Sequence, residues 1–298
     1  MHFRLPQIVS LLTAVICWSV SVHGAPGFEK MNLTPARDIP SPLYGVTIDQ
    51  VDRLPSIVDS LKALPRKPTT RIVFDEQQSA RDYLKAVNEI HNVSYVMGEL
   101  CDSYFIKNFT VDEYLQRTED YLNTLGSKVD IWEVGNEING DWLGDTPSVI
   151  AKMTGGYDMV KARGGKTALT LYHDQKSEWL LEWAEKNVPE RMKQGLDYVF
   201  ISFYDDDQKH IKPDWEMVFK RLAAIFPNSK VGFGEVGTDF HGQKKSYIQR
   251  YYNMNIAQQN FVGGYFWWWY KQDMVPRSKP LWKVLNKTLT TATARRGS

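Results

Sequence analysis

Residues 129–139 read VDIWEVGNEIN, an apolar run of strand length that gives way to polar residues at Asn136 and Glu137. A second segment, residues 230–237, reads KVGFGEVG and brings Glu235 to the end of a similar run. Short apolar runs bounded by polar or turn residues are typical of buried strands. The two segments therefore predict two buried strands, each with a carboxylate where its apolar run stops.

The same organisation extends along the whole chain, because short apolar runs alternate with amphipathic stretches of helical length. We predict eight strands, over residues 44–48, 70–74, 94–100, 129–135, 167–172, 198–204, 230–235 and 264–269. Helical patterns lie between them, over residues 80–90, 111–125, 148–162, 179–187, 215–226 and 244–259, with a closing helix from Pro276 to near Leu289. The pattern from residue 111 follows a capping box, Thr110-x-x-Glu113.

Eight strand–helix units in one run call for a parallel sheet with right-handed crossovers. An open doubly wound sheet is the alternative, but it usually carries a glycine-rich phosphate loop after its first strand. Residues 44–49, YGVTID, lead into no such loop. We therefore predict a single-domain α/β protein, a (β/α)8 TIM barrel over residues 41–290.

Glu137 and Glu235 both fall where the active site of such a barrel is built, at the carboxyl ends of its strands. Glycosidic cleavage with retention needs two carboxyl groups. One is protonated and donates to the leaving oxygen, and the other is ionised and attacks the anomeric carbon. A single glutamate at a strand end is more often a salt-bridge partner, but a pair on strands four and seven favours catalysis.

Residues 132–137, WEVGNE, resemble the W-E-x-x-N-E motif on strand four of clan A glycoside hydrolases. Residues 234–237, GEVG, resemble the strand-seven nucleophile motif of that clan. The resemblance implies that Glu137 is the general acid/base, that Glu235 is the nucleophile, and that Asn136 holds the sugar 2-hydroxyl. The interval of 98 residues (235 minus 137) fits three intervening βα units. No family within the clan is assigned.

Three further strand ends match the same clan. Residues 70–72, TRI, resemble its strand-two arginine, which implies that Arg71 stabilises the ionised nucleophile. Residues 201–204, ISFY, are similar to its H-x-Y, with Ser202 in the place of histidine and Tyr204 as a hydrogen-bond donor to Glu235. Residues 264–271, GYFWWWYK, align with the F-W-x-W-K strand end of family 5 exo-glucanases, which places Trp268 under the sugar ring.

Strand parity refines these expectations. Because side chains alternate along a strand, we expect two of the three consecutive tryptophans from Trp267 to be packed in the barrel wall. The same parity places Glu133 in the barrel interior beside Arg71, as a structural ion pair and not as a third catalyst. A cation near the nucleophile lowers its pKa. We therefore expect Arg71 and Tyr204 to depress the pKa of Glu235 and expect the pKa of Glu137 to be raised.

Other polar strand ends are weaker candidates. His173 closes strand five, and we predict it as a substrate-binding residue. Asp205, Asp206 and Asp207 are consecutive, so their side chains cannot converge on one ion, and we expect a solvated loop. No set of histidine or cysteine ligands accompanies them, and there is no Gly-x-Ser-x-Gly elbow for an esterase. We predict no metal and no cofactor.

The amino terminus has the features of a secretory signal. Arg4 precedes a mostly apolar, uncharged stretch over residues 8–22, and residues 22–25, VHGA, suit a signal peptidase. We predict a signal peptide over residues 1–24, an extended lead-in over 25–40, and a basic tail over 291–298. Removal of the signal leaves Cys101 as the one thiol, which we expect to be buried. Sequons at Asn32, Asn92, Asn108 and Asn286 are typical of a secreted glycoprotein.

The balance of basic and acidic residues indicates which binding partners the composition favours. Lysine and arginine number 36 against 35 aspartates and glutamates, so nothing in the composition attracts nucleic acid or an anionic membrane. We predict a secreted monomer that hydrolyses β-glycosidic bonds of a polysaccharide or oligosaccharide with retention. Two alternatives stay open, a transglycosylase with the same site and a barrel that binds glycans without cleaving them.

Overall fold

The computed structural model describes residues 32–174, 177–205 and 211–294. Over these ranges eight parallel strands close into a barrel in chain order, with β1 paired to β8. The strands are β1 Leu43–Ile48, β2 Thr69–Val73, β3 Tyr95–Glu99, β4 Ile131–Gly135, β5 Thr167–Tyr172, β6 Tyr198–Tyr204, β7 Lys230–Gly237 and β8 Gly263–Trp267. The predicted single-domain (β/α)8 barrel is confirmed, and each strand end lies within two residues of its predicted position.

Helices surround the barrel. They are α1 Leu54–Lys62, α2 Leu84–Val93, α3 Val111–Leu125, α4 Thr146–Lys161, α5 Ser177–Asn187, α6 Glu190–Gly195, α7 Trp215–Ile225, α8 Lys244–Tyr252, α9 Tyr270–Met274 and α10 Pro280–Ala294. Single 3-10 turns span Ala80–Tyr83, Ile106–Asn108 and Asp141–Leu143. The capping box of α3 is confirmed, since Thr110 Oγ1 accepts from the amide of Glu113 at 3.2 Å and the Glu113 carboxylate accepts from the amide of Thr110 at 2.7 Å.

Three predicted helix bounds differ from the structure. The helix predicted over 80–90 is a 3-10 turn followed by α2. The helix predicted over 244–259 ends at Tyr252, because Asn253 and Asn255 are poor helix formers and the amide of Ala257 bonds instead to the Glu216 carboxylate. Helix α10 extends past Leu289 to Ala294, into the predicted tail.

The barrel interior has an apolar layer below a polar layer. The apolar layer is a cluster of strand side chains separate from the main core and includes Leu43, Met97, Ile131, Ala168 and Phe200. Two residues further along four of these strands, and so on the same inward face, lie the buried side chains of Glu99, Glu133, Thr170 and Ser202. Because every second side chain of a strand points inward, these polar groups lie together at the carboxyl end of the barrel.

The described part of the lead-in, residues 32–40, has no helix or strand and packs at the opposite end. Arg37 makes a salt bridge of 2.6 Å with Asp130, which precedes β4, and Ile39 joins the interior apolar cluster. Residues 1–24, where we predict a signal peptide, lie outside the described residues. None of the helices in the described ranges combines the length and the apolar character that crossing a bilayer requires.

The start of β8 requires glycine. Gly263 and Gly264 have φ values of 84° and 87°, in the left-handed region that favours glycine. A Cβ on Gly264 would overlap the carbonyl oxygen of Phe233 in β7. The two glycines therefore allow β8 to approach β7 closely, just before the tryptophans that reach the site.

Candidate active site

A cleft of about 550 Å³ opens at the carboxyl ends of the strands, within the size range of small-molecule sites. Both predicted catalytic carboxylates, Glu137 and Glu235, line it. The other lining residues are Asp102, Ser103, Tyr104, Asn136, Trp142, Tyr172, Tyr204, Asp239, Trp268 and Trp269. Half of the twelve are tyrosine or tryptophan, so polar groups converge in a cleft with largely aromatic walls.

Arg71 lies in the barrel interior below this cleft, with its side chain fully buried. Its Nε and Nη2 donate to Glu133 at 2.7 and 3.3 Å, and its Nη1 donates to Glu235 at 2.8 Å. The expected ion pair of Arg71 with Glu133 is therefore confirmed. One guanidinium thus holds a β4 carboxylate and a β7 carboxylate in fixed relative positions.

A third carboxyl group, Glu99 of β3, also contacts Arg71. Nη2 of Arg71 lies 3.0 Å from Oε2 of Glu99, yet neither Glu99 oxygen accepts a well-aligned hydrogen bond from any described residue. Burial raises the pKa of Glu99 well above its usual range, despite the opposing effect of Arg71. Since one buried cation cannot neutralise three carboxylates, Glu99, the least hydrogen-bonded of them, keeps its proton to well above the usual pH range of a glutamate.

Burial overturns the expected pKa of Glu235. Burial raises the pKa of Glu235 to about 8, and the charge of Glu137 adds to the rise. Arg71 and the Tyr204 hydroxyl act in the opposite direction but do not offset the burial. The prediction of a depressed pKa was wrong because it did not count the burial of Glu235, which outweighs the effects of Arg71 and Tyr204.

Glu137 follows β4 in a backbone conformation that is rare for its residue type. Its φ is 48°, in the left-handed region, where strained non-glycine residues are found mostly at functional sites. Its two carboxylate oxygens accept from Ser202 Oγ at 2.6 Å and from Ser103 Oγ at 2.8 Å. Burial raises the pKa of Glu137, and the two serine hydroxyls moderate that rise.

Ser202 connects the two halves of the site. It pairs in register with Glu235 across β6 and β7, and its hydroxyl donates to Glu137. The serine that replaces the histidine of the clan motif is thus a direct partner of the predicted acid/base. Two residues further on, the Tyr204 hydroxyl donates to Oε1 of Glu235. Burial and the neighbouring Glu235 charge raise the pKa of Tyr204, so the phenol stays protonated and able to donate.

Asn136 is nearly fully buried, at 2% exposure, and lines the cleft. Its Oδ1 has no hydrogen-bond partner among the residues that the structure describes. A buried amide oxygen without a partner is uncommon in native proteins. Its position beside Glu137 makes it available to accept a hydroxyl from a bound molecule, which is the role that the clan resemblance implies.

The three strand-eight tryptophans do not divide as parity predicts. Trp267 is fully buried and its Nε1 donates to Asp273 at 3.0 Å, so it belongs to the barrel wall. Trp268 and Trp269 both line the cleft. The expectation that two of the three would be packed was wrong, because β8 ends at Trp267 and side-chain alternation ends with it. Trp268 also lies over Arg71, with 5.7 Å between the guanidinium carbon and the ring centroid.

His173 and Asp205 differ from their predicted settings. The His173 ring is fully buried, hydrogen-bonds to Ser177 at 2.8 Å and packs edge-on against Phe203, so it is not among the cleft-lining residues. Asp205 is buried rather than solvated, and it accepts from the Tyr247 hydroxyl at 2.6 Å. Asp206 and Asp207 lie outside the described residues. Cys101 is buried as expected, and burial raises the pKa of its thiol to about 12.

Several cleft residues escaped the sequence analysis. Ser103, Tyr104 and Trp142 lie in the segments that follow β3 and β4. The only signal for them was an aromatic or hydroxyl side chain shortly after a strand end. Within the described ranges, no group of three or more histidine, cysteine, aspartate or glutamate side chains is arranged to hold a metal ion.

The fold and the site together define a (β/α)8 barrel with a pair of buried carboxylates at the carboxyl ends of β4 and β7. No protein-family model matches the chain, and a search of curated proteins gives no significant match. Solved structures share the fold. Saccharomyces cerevisiae Gas2p in complex with laminaritriose and laminaritetraose aligns over 87% of this chain and 69% of its own, with 14% identity and a TM-score of 0.57. Its complex with laminaripentaose aligns over 87% and 70%, with 14% identity and a TM-score of 0.56.

Proposed function

We propose that this protein is a retaining β-glycoside hydrolase of clan A, with Glu137 as general acid/base and Glu235 as nucleophile. The observation that carries the proposal is the contrasting set of partners of two buried carboxylates in one cleft. Among the described residues, two serine hydroxyls donate to the Glu137 carboxyl group, whereas a guanidinium and a phenol donate to Glu235. The guanidinium and the phenol favour the ionised form of Glu235 against the burial that raises its pKa, whereas Glu137, with no cation bonded to it, is suited to exchange a proton.

The residues support a double displacement. Glu137 donates its proton to the glycosidic oxygen as the bond from that oxygen to the anomeric carbon breaks, and Glu235 attacks the same carbon to form a glycosyl ester. Glu137, now ionised, then takes a proton from water as the water oxygen displaces Glu235. The charge of Glu137 raises the pKa of Glu235, and such coupling is reciprocal, so loss of the Glu235 charge in the ester makes Glu137 easier to ionise, which fits the change from acid to base.

The cleft also supports a carbohydrate substrate. Aromatic rings bind the apolar faces of pyranose sugars, and the unpaired Oδ1 of Asn136 can accept a sugar hydroxyl. Trp268, beside Arg71 and Glu235, fits the sugar whose anomeric carbon reacts. Because Gas2p has been solved with laminari-oligosaccharides, β-1,3-glucan is the first polymer to test.

Secretion is part of the same proposal. We infer that residues 1–24 are removed as a signal peptide and that the mature protein acts outside the cell as a monomer. The sequon asparagines Asn32, Asn92 and Asn108 are all exposed, which supports their glycosylation. Mass spectrometry of protein secreted from a eukaryotic host tests these points through the mature amino terminus and the mass shift on deglycosylation.

The central experiment screens purified protein against β-glucans, mannans, xylans, galactans and microbial exopolysaccharides. Proton NMR of the first products reports their anomeric form, which we expect to be β. Products linked to an added acceptor sugar would identify transfer rather than hydrolysis. Binding without cleavage would indicate a non-catalytic glycan-binding barrel, and neither binding nor cleavage would contradict a carbohydrate function.

Two variants test the assigned roles. Glu235→Gln replaces the attacking carboxylate with a neutral amide and should abolish turnover, while its thermal midpoint should indicate a folded protein. Glu182→Gln, at an exposed site on α5, is the control and should be fully active. Glu137→Ala should be far slower on poor leaving groups than on activated aryl glycosides. Azide should restore its activity on an aryl substrate and give the β-glycosyl azide. An α-azide would contradict retention.

A further inference from the structure

Trp142 lies across the cleft from the strand-eight tryptophans. It belongs to the 3-10 turn Asp141–Leu143 that follows β4, and it lines the cleft with a half-buried side chain. In a closed ring of eight strands, β4 stands opposite β8. Trp142 therefore follows the strand that leads to Glu137 and lies on the side of the site away from Trp268.

The indole of Trp142 is held in one position. A Cβ on Gly140 would come within 2.6 Å of its ring atoms, so the ring packs directly on the glycine backbone. Tyr172, the last residue of β5, meets the indole nearly at right angles, with 5.1 Å between ring centroids. The Asn139 side chain anchors this loop to β5 through bonds of 2.8 Å to the carbonyl oxygen and 2.7 Å from the amide of Tyr172.

A chain of two hydrogen bonds links the same indole to Glu137 through Ser103. Nε1 of Trp142 donates to Ser103 Oγ at 3.2 Å, and Ser103 Oγ donates to Glu137 at 2.8 Å. The ring is thus fixed relative to the carboxyl group that protonates the departing oxygen. Because this aromatic surface is linked to Glu137, it is placed to meet the sugar attached to that oxygen.

We propose that Trp142, with Tyr172, forms the binding site for the sugar ring on the leaving-group side of the scissile bond, and that an acceptor sugar occupies it in any transfer reaction. This inference rests on the proposed glycosidase function. The site takes a pyranose ring through an apolar face, as rigid aromatic surfaces do. It binds the departing sugar during formation of the glycosyl ester and then admits water, or an acceptor hydroxyl, to the same position beside Glu137.

The test uses four variants of the full chain. Trp142→Ala removes the platform, Trp142→Phe keeps a ring but loses the bond to Ser103, and Gly140→Ala displaces the indole without altering it. Trp183→Ala is the matched control, because Trp183 is a half-buried tryptophan on α5 that does not line the cleft. Thermal midpoints report whether each variant is folded.

The substrates are tetrasaccharides of β-1,3-glucan, β-1,4-glucan, mannan, xylan and galactan, and the 2,4-dinitrophenyl glycoside of whichever sugar reacts. Trp142→Ala and Gly140→Ala should lose roughly 10- to 100-fold in kcat/KM on the tetrasaccharide, as expected for truncation or displacement of an aromatic anchor. The same variants should stay within about threefold of the parent on the aryl glycoside, because its activated aryl leaving group is not a sugar and departs without needing a pyranose-binding surface. Trp142→Phe should lose less than Trp142→Ala on the tetrasaccharide, and Trp183→Ala should match the parent on both substrates.

Equal losses on both substrates, or no loss on either, would overturn the proposal. Calorimetric binding of the tetrasaccharides in the Glu235→Gln background provides a readout without turnover, in which Trp142→Ala should weaken binding by a similar factor. If the parent protein cleaves a tetrasaccharide and Trp142→Ala is indistinguishable from it, this inference alone fails. If the parent neither binds nor cleaves any tetrasaccharide, the proposed function fails and the inference with it.

Discussion

Nη1 of Arg71 donates to Oε2 of Glu235 across 2.8 Å, in an ion pair almost completely shielded from water. The same guanidinium contacts Glu133 and Glu99, so the charge that stabilises the nucleophile is divided among three carboxyl groups. Removing one partner of a buried pair leaves an uncompensated charge, which costs more than the pair contributes. The barrel interior therefore couples stability and catalysis through one side chain.

Replacing Arg71 with lysine should impair both properties. Lysine keeps the charge but lacks the planar fork that reaches Glu133 and Glu235 together. We expect a loss of up to about 3–5 kcal/mol in the free energy of unfolding and of roughly 10²–10³ in kcat, the scale for losing one donor to a reacting charge. Denaturant unfolding and steady-state kinetics measure the two effects.

Arg117→Lys is the matched control. Arg117 is also buried, but its guanidinium donates to backbone carbonyl oxygens, among them those of Leu100 and Phe74. This variant should lose stability and keep its kcat. If Arg71→Lys lost only stability, Arg71 would have no part in holding the nucleophile.

The strands and both carboxylates could be predicted from the sequence because each depends on a local pattern. An apolar run followed by a carboxylate indicates the end of a barrel strand, and this pattern does not depend on where the helices pack. The two strand ends from which Glu137 and Glu235 project were therefore located to within two residues. Arg71 was located in the same way, because it lies within the strand predicted over residues 70–74.

The rest depends on neighbours that are distant in the chain. The raised pKa of Glu235 follows mainly from its burial in the folded barrel and from the charge of Glu137 on another strand. Trp142 reaches the cleft because a loop after β4 is anchored to the end of β5. His173 closes its strand as a polar residue, but packing against Phe203 turns its ring away from the cleft. None of these relationships has a signature in a single segment.

Replacing Glu99 with glutamine should leave the pH dependence of kcat/KM unchanged. Because burial raises the pKa of Glu99 well above its usual range, the amide substitutes for a carboxyl group that is already neutral. The variant should unfold no more easily than the parent at pH 7.

Glu133→Gln is the comparison, since Glu133 accepts two hydrogen bonds from Arg71 and one from Thr170. That variant should lose both activity and stability. A shifted acid limb in Glu99→Gln would show that Glu99 is charged in the working enzyme.

Stability should fall as the pH rises from mildly acidic values. An unfolded glutamate has a pKa of about 4.3, whereas burial raises the pKa of Glu235 to about 8 and also raises those of Glu137 and Glu99. The folded state binds the extra protons, so their stabilisation is complete below about pH 4.3 and is lost as the pH rises through the folded pKa values. Denaturant unfolding from pH 4.5 to 8.5 should show a decline. Glu235→Gln should make it shallower by up to about 1.4 kcal/mol per pH unit, and Glu182→Gln should not.

Replacing Gly264 with alanine should be strongly destabilising. The residue has a φ of 87°, and a Cβ there would overlap the carbonyl oxygen of Phe233. We expect a loss of roughly 2–4 kcal/mol in the free energy of unfolding, with contributions from strain and from a displaced strand. Gly242→Ala is the control, because a Cβ at that position meets no atom within 4 Å in the described residues. Equal unfolding midpoints for the two variants would contradict the close approach of β8 to β7.

Replacing Ser202 with alanine should move the alkaline limb of kcat/KM to higher pH. The Ser202 hydroxyl donates to Glu137 at 2.6 Å and lowers the pKa of that carboxyl group by stabilising its charged form. Without it, only Ser103 and the charge of Arg71 oppose the effect of burial among the described residues, so Glu137 holds its proton to higher pH. The alkaline limb reports loss of the last proton shared by Glu137 and Glu235 in the free enzyme. A hydrogen bond to a charged group contributes about 1.5–3 kcal/mol, and 1.36 kcal/mol corresponds to one pKa unit, so the shift should be roughly one unit or more.

Ser229→Ala is the control and should leave the alkaline limb unmoved. It removes another buried serine, which donates to the carbonyl oxygen of Leu196 far from any carboxylate of the cleft. A limb that stayed in place in Ser202→Ala, or moved to lower pH, would mean that Glu137 does not carry the proton on which turnover depends.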